Sequence, residues 1–435
     1  MLQDFQKHID LNFPFLKDKK LLIAISGGVD SVVLTHLCKA LNGVEVSLAH
    51  CNFQLREKES DRDADFVKDL GEKLNLKTFI TTFNTQQYSK EKKLSTQVAA
   101  RDLRYHWFNE LIKEHQFNYV LTAHHADDNL ETFLINLTRG TGLDGLTGIP
   151  TINGNVVRPL LGFSRNNILD FANENEIEWR EDASNSETKY VRNKIRHEVV
   201  PKLKEINSNL LDSFKKTTEF LEESQQIVED RIELVSSEII STKNDIQKIN
   251  IKKLSILSNP QAYLYQLLKQ YGFTEWKDVY NLLFAQSGKQ VFSRTHRLLK
   301  DRSFLILSEI KEIENKSFCI EENQAEINEP IHLKFENTEK SFSKDNNVIL
   351  VDKDLLKFPL SIRKWENGDY FCPSGMRGKK KLSKYFKDEK YSLLEKENTW
   401  LLCNTNNDIV WIVGKRQDNR YKATKTTTNI LKITH

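Results

Sequence analysis

Cysteine is sparse and scattered in this chain of 435 residues. Cys38, Cys51, Cys319, Cys372 and Cys403 are odd in number and form no C-x-x-C pair. That pattern excludes a disulfide framework, a zinc ribbon and an iron–sulfur site, and it fits a reducing, cytoplasmic setting. Long apolar runs are also missing, so no membrane span is expected. The segment Met1–Asp10 carries charges without an apolar core, so no signal peptide is expected. Net charge is only +3, from 64 Lys and Arg against 61 Asp and Glu, so local clusters rather than the average must identify partners. What is present is a 39% hydrophobic fraction, enough for globular folding, on a length that implies two or three domains.

Up to about residue 200, strand and helix patterns alternate. Apolar, β-rich runs fall at Lys20–Ser26, Val44–Cys51, Lys77–Asn84 and Tyr119–His124, with helical spacing between them over Ser31–Leu41, Asp61–Leu74 and Ser95–His115. Strands separated by helices predict parallel βαβ units and a doubly wound, Rossmann-like α/β sheet. Ligands bind such sheets beyond the carboxyl ends of the strands. From Pro201 to about residue 310 the pattern is mostly helical, and Leu210, Leu211, Phe214, Leu221, Ile227 and Val228 share a face. Residues 311–345 are polar and acidic and suggest a boundary, after which short β-like runs at Thr399–Cys403 and Ile409–Val413 predict a small mixed α/β domain. The domains expected are therefore 1–205, 206–325 and 340–435.

The first run ends in Ser26-Gly27-Gly28-Val29-Asp30-Ser31 and opens a helix. Paired glycines let backbone N–H groups approach an anion, and the helix adds the positive end of its dipole. No Gly-Lys-Ser/Thr follows, so this is not a Walker A loop, and the third glycine of a dinucleotide fingerprint is missing. A second motif, Thr122 to Thr132, leaves the fourth strand with His124, Asp128 and Glu131 at i, i+4 and i+7, which predicts one helix face. Two carboxylates and an imidazole opposite a phosphate cradle suit Mg²⁺ or the placing of an amine nucleophile. Acids favoured by the helix dipole are the plainer explanation.

Three further segments carry weaker signals. Arg101, Arg104 and Tyr105 fall on one side of a helix, where the arginines either clamp phosphates, pair with Asp128 or Glu131, or are ordinary surface charges. Arg139 to Pro150 holds four glycines, predicting a mobile flap without a stable helix. Arg158-Pro159-Leu160-Leu161, Glu181–Asn185 and the basic run Arg192–Arg196 follow, the last suited to RNA backbone or to a solvated face. Near the end, Arg377, Lys379, Lys380, Lys381, Lys384 and Lys387 surround Tyr385 and Phe386, a basic cluster with interleaved aromatics that suits RNA.

The glycine loop resembles the pyrophosphate loop of the N-type ATP pyrophosphatases. With HCNF at 50–53, ARDLRY at 100–105, TAHHADDNLET at 122–132, RGTGLDGLTGI at 139–149, RPLL at 158–161, EDASN…RNKIR at 181–196 and the pieces at 364–390 and 411–424, the whole chain resembles the bacterial tRNA(Ile)-lysidine synthases. The resemblance implies a ligase that uses ATP and Mg²⁺ to adenylate the wobble cytidine of the CAU-anticodon isoleucine tRNA. Free L-lysine then displaces AMP, leaving lysidine. It implies that Ser26, Gly27, Gly28, Val29, Asp30, Ser31 and His50 hold ATP, and that Asp30 and Asp128 hold the metal. Asp128, Glu131, His124 and Arg101 become the catalytic group. Arg196, Arg377, Lys379, Lys380, Lys381 and Lys384 contact tRNA, the last domain meeting the acceptor stem. It implies no membrane partner and leaves room for a homodimer. A tRNA thiolase on the same ATP fold is the nearest alternative, and the missing cysteine pair speaks against it.

Overall fold

Leu21, Leu22 and Ile23 have no solvent exposure, because the strand that carries them is covered on both faces. The computed structural model describes residues 1–56, 58–180, 191–310, 317–339, 345, 347–373 and 378–435. They fall into two units, 1–229 and 230–435.

The first unit runs α1 (Leu2–Asn12), β1 (Lys19–Ala24), α2 (Val29–Lys39), β2 (Val44–Asn52), α3 (Lys58–Lys73), β3 (Lys77–Thr82), α4 (Thr85–Lys92), α5 (Thr96–His115), β4 (Tyr119–Leu121), α6 (Ala126–Arg139), α7 (Leu143–Leu146), β5 (Ile152–Asn153), β6 (Val156–Val157), α8 (Arg165–Glu174), α9 (Val191–Lys194), α10 (Val200–Ile206) and α11 (Leu210–Ile239), the last crossing the division. The sheet order is β3-β2-β1-β4-β6-β5, parallel except for β5. Alternate residues of β1 face opposite layers. Leu21 and Ile23 pack with Val32, Val33 and Leu37 of α2, Val67 of α3 and Ile168 of α8. Leu22 packs with Phe108 and Leu111 of α5. Strand order reverses at β1, which pairs with β2 on one side and β4 on the other. The crevice of such a sheet lies at that reversal, where the loops after β1 and β4 both open.

The second unit adds to the helical expectation for its early part. Helices α12 (Ile251–Ser255), α13 (Pro260–Leu268) and α14 (Trp276–Asn281) accompany an antiparallel sheet of β7 (Ile240–Lys243), β8 (Ile246–Asn250), β9 (Gln290–Phe292), β10 (His296–Asp301) and β11 (Phe304–Glu309), in the order β7-β8-β11-β10-β9. The hairpin turns rest on Asn244, Asp245 and Arg302 at positive φ instead of glycine, so the usual turn signal is muted. The remainder holds β12 (Phe318–Ile320), β13 (Glu326–Ile327), β14 (Leu333–Thr338), β15 (Val348–Asp352), β16 (Leu360–Lys364), β17 (Tyr370–Phe371), β18 (Lys380–Lys381), α15 (Leu382–Asp388), α16 (Leu393–Asn398), β19 (Trp400–Cys403), β20 (Ile409–Ile412), β21 (Arg416–Gln417) and β22 (Ile430–Thr434). They form sheets β12-β16-β19-β20-β21 and β13-β14-β22-β15 and a short ribbon β17-β18. The acidic stretch read as a boundary thus supplies β12, β13 and β14, which pair into the terminal sheets. Among the described residues no helix is long and apolar enough to cross a membrane.

One glycine is held by packing. A Cβ on Gly71 of α3 would lie 2.0 Å from Thr78 Oγ1 and 3.3 Å from the Leu76 carbonyl oxygen. Gly71→Ala is therefore expected to cost about 1–3 kcal/mol by forcing α3 off β3. Chemical denaturation checks it, and an unchanged midpoint would show that Thr78 simply turns away.

Candidate active site

The loop after β1 is built by two serines. Ser31 Oγ donates to the Gly28 carbonyl at 2.9 Å and accepts from the Ser26 N–H at 3.1 Å, folding the loop over the start of α2. Gly27 sits at φ +93°, a conformation that a side chain resists. Gly28 is the N-cap and offers no side chain to the helix, whereas α4, α5, α6 and α8 are each capped by a side chain. An uncapped N-terminus at a crevice is ready to take an anion. Ser26, Gly27, Gly28, Val29, Asp30 and Ser31 therefore form one loop leading into the first turn of α2.

Across the crevice, α6 starts at Ala126, so His124 lies before the helix instead of on its face. The N-cap is His125, which is 1% exposed and closes a reciprocal cap: its N–H donates to Asp128 Oδ2 at 3.2 Å, and the Asp128 N–H donates to its Nδ1 at 3.4 Å. Nδ1 accepting assigns the proton to Nε2. Nε2 lies 3.4 Å from Asp128 Oδ2 and 3.8 Å from Asp30 Oδ2, so one buried imidazole ties the α6 cap to the first turn of α2. Burial pushes His124 down to about 4, which leaves it neutral near pH 7, with Nδ1 3.0 Å from the Thr122 hydroxyl.

Glu131 is 2% exposed and both its oxygens are taken by Arg196: Nε to Oε1 at 2.6 Å and Nη2 to Oε2 at 2.9 Å. The same Nη2 reaches Asp128 Oδ1 at 3.0 Å. Burial opposes the charge on Arg196, but the bonds to Glu131 and the charges of Asp128 and Asp30 outweigh it and raise its pKa. Arg192 adds a bond to the Thr132 hydroxyl at 2.8 Å. Arg196, read above as an RNA contact, is thus turned into the site. It sits on a π-helical turn, Ile195–Val199, which periodicity at 3.6 does not anticipate. Arg101 does not make the pairing considered for it: it is exposed and lies over the Tyr105 ring at 5.0 Å, while Arg104 lies over Phe53 at 5.2 Å.

Asp127, His125, Arg165 and Lys204 were not singled out from the sequence. Asp127 Oδ2 accepts from the Arg165 N–H at 2.8 Å, and Oδ1 pairs with Lys204 Nζ at 2.5 Å. The only available signal was the doubled acid after the histidine pair. His50 is buried, donates from Nδ1 to the Ile25 carbonyl at 2.9 Å, and is held neutral by that burial. Cys51 is pushed up to about 12 by burial, so its thiol stays protonated. The glycine-rich segment is pinned to α6: Asn136 Nδ2 donates to the Gly145 carbonyl at 2.9 Å, and the Ile149 N–H donates to Asn129 Oδ1 at 2.6 Å. Its glycines still admit one helical turn, α7, because α6 side chains satisfy the backbone groups beside it.

Asp30 and Asp128 fit a hard divalent cation. Asp30 Oδ1 is buried with no hydrogen-bond partner, and burial holds the Asp30 carboxyl above its ordinary range despite His125 and Arg165 nearby. Among the described residues no three His, Cys, Asp or Glu side chains converge to hold a metal, so phosphate and water would complete an oxygen-rich shell, as Mg²⁺ prefers.

In the second unit, Tyr385 and Phe386 are 5% and 0% exposed and belong to the core with Phe371 and Leu382. The aromatics read as interleaved with the lysines are therefore largely core. Lys380 pairs with Asp388 at 2.8 Å and Lys379 lies over Tyr370 at 4.3 Å, while Lys381 and Lys384 are exposed. Arg377 and Glu181–Asn185 lie outside the described residues.

Residues 1–203 match the model of the PP-loop domain, 242–310 the TilS substrate binding domain and 360–433 the TilS substrate C-terminal domain. The chain is 38% identical to the tRNA(Ile)-lysidine synthase of Parabacteroides distasonis, covering 99% of both chains. It is 38% identical to that of Bacteroides thetaiotaomicron, covering 98% of this chain and 97% of the relative. The enzyme of the same name from Porphyromonas gingivalis is 36% identical, over 93% and 91%.

Two outcomes test the site's architecture. Arg196→Met removes both hydrogen bonds of buried Glu131, leaving only Arg192 Nε at 3.8 Å, and is expected to destabilise the first unit by about 2–4 kcal/mol, read by thermal unfolding. Asp127 is a pH lever. Burial raises its pKa, but the Arg165 N–H and the Lys204 ammonium outweigh that and hold it below 3.8. Its contribution is therefore present above pH 3.8 and lost as pH falls below it. Asp127→Asn is expected to lower stability at neutral pH and to show a shallower loss on acidification, followed by circular dichroism.

Proposed function

The chain belongs to the tRNA(Ile)-lysidine synthase family, ATP-dependent ligases that form a carbon–nitrogen bond, and on that premise we propose how it acts. Its substrate is a tRNA(Ile), and it uses ATP. The proposed reaction joins free lysine to C2 of the wobble cytidine in the CAU anticodon. The cytidine O2 attacks the α-phosphorus of ATP, and the bond to the β-phosphate oxygen breaks to release pyrophosphate. The lysine ε-amine then attacks C2, the C2–O2 bond breaks, and AMP leaves with that oxygen. The amine gives up a proton in the process.

The observation that carries this reading is the uncapped N-terminus of α2 facing the Asp128–Glu131–Arg196 cluster, with His125 joining the two. Ser26 to Ser31 hold the departing pyrophosphate through backbone N–H groups and the helix dipole. Asp30 and Asp128 would hold Mg²⁺, which when bound supplies positive charge against the phosphates. Asp128 orients the lysine amine, and the carboxylate or a water beside it takes the proton. Glu131, with both oxygens engaged, keeps Arg196 in place, and Arg196 and neutral His124 face the negative charge of the adenylated intermediate. Lys379, Lys381 and Lys384 meet RNA phosphates, with Lys380 shared with Asp388. A catalytic domain at 1–205, a tRNA-binding segment at 206–325 and a terminal tRNA-binding domain at 340–435 serve this division of labour. A sulfur-transferring reaction is disfavoured because the protonated, half-buried Cys51 is no nucleophile.

Incubation of the protein with ATP, radiolabelled lysine and the CAU-anticodon transcript tests the proposal. Label should enter the RNA, with one AMP and one pyrophosphate per lysine. ADP as product, or a sulfur-dependent change, would overturn it. Asp128→Asn should reduce incorporation by about 100-fold or more while tRNA affinity stays within about twofold. Retained turnover would remove Asp128 from the chemistry.

A further inference from the structure

The basic residues clustered in sequence at 379–387 are not the only cations that the fold of the second unit gathers. Five cations from four stretches, Arg302, Lys390, Lys415 with Arg416, and Lys422, line one cavity of about 690 Å³ in the second unit. Arg302 comes from the β10–β11 turn, Lys390 from the turn after α15, Lys415 from the β20–β21 turn and Arg416 from the start of β21. Arg302 Nη2 donates to the Lys390 carbonyl at 2.5 Å. Arg297 of β10 grips Glu397 of α16 with two bonds of 2.9 Å, so the walls from the two halves of this unit are fixed against each other. Three carboxylates also line the cavity, but Glu395 is already occupied by the Ser392 N–H at 2.7 Å as part of the α16 cap. Tyr391, packed on Phe386 at 4.9 Å with Lys415 over its ring at 5.6 Å, supplies an aromatic wall.

We propose that this cavity is a binding site for an unpaired nucleotide, and that its occupant is the single-stranded 3′ end of the substrate tRNA. Excess positive charge with an aromatic wall suits phosphates joined to a planar base. The volume is that of a small-ligand pocket, of order 300–1,000 Å³, and is too confined for a paired RNA stem. The anticodon loop is committed to the reaction and the D and T loops of a tRNA fold against each other, which leaves the 3′ end as the unpaired stretch free to enter a concave site. The inference rests on the tRNA-ligase reading and extends the contact from the acceptor stem to the strand beyond it. It also explains why the charges are dispersed in sequence: the site needs both the 242–310 and the 360–433 portions.

Binding is measured by fluorescence anisotropy on the full chain, without ATP or lysine, using the full transcript and one lacking its last three nucleotides. Trimming should weaken binding by about tenfold. The double variant Lys390→Ala/Lys415→Ala should lose the same factor on the full transcript and nothing more on the trimmed one. Its salt dependence should also fall by about 0.7 per lost phosphate contact. Lys415→Arg should restore part of the loss. Equal loss on both transcripts, or no effect of trimming, would overturn the proposal. So would displacement of the full and trimmed transcripts alike by AMP that the Lys390→Ala/Lys415→Ala substitutions abolish, which marks the cavity as a free-nucleotide site. Lysine incorporation on the full transcript, followed separately, reports on the reaction itself, so the two readings fail in different assays.

Discussion

Asp128, Glu131 and Asp30 are drawn together at the crevice by one half-buried guanidinium and one buried imidazole. Arg196 engages both oxygens of Glu131 and reaches Asp128 with the same Nη2, and His125 spans Asp128 and Asp30. Burial holds the Asp30 carboxyl above its ordinary range, and the charges of His125 and Arg165 oppose that rise. The rest of the first unit can be understood as support for this cluster. The sheet sets β1 beside β4, the α6 cap aims Asp128, and Asp127 fastens the same helix start to α8 and α10 through Arg165 and Lys204.

The two sides of the crevice are built on opposite principles. The α2 side is left electrostatically incomplete: its helix has no capping side chain, and Asp30 keeps an oxygen with no partner. The α6 side is over-determined, with nearly every polar atom paired. An incomplete anion site facing a rigid charged cluster suits a ligand that carries both phosphate and, nearby, a position for a cationic nucleophile. Cysteine is present at the carboxyl end of β2, but burial keeps it protonated, so the crevice offers charge and hydrogen bonds and no sulfur nucleophile.

The second unit distributes its charge differently. Its lysine-rich stretch is partly consumed by the protein, through Asp388 and Tyr370, and its aromatics are core. Cations from four stretches line the cavity beside the β20–β21 turn. Strands β12 to β14 reach back from the acidic stretch into the terminal sheets, so this part of the chain has no simple linear border.

Period and punctuation were enough to recover the parallel sheet, because β1 to β4 are short apolar runs separated by helices whose apolar faces repeat at 3.6. Paired glycines after a buried strand likewise located the anion loop, since only that residue type tolerates the backbone at Gly27. The middle sheet was hidden because its turns use asparagine, aspartate and arginine at positive φ. The pairing of Arg196 with Glu131 depends on a π-turn and spans 65 residues, and the cavity gathers charges from residues 302 to 422. Local sequence decides which backbone shapes a segment can adopt. Which distant charge neutralises which, and whether an aromatic faces solvent or core, is settled only when the packed chain chooses what to bury.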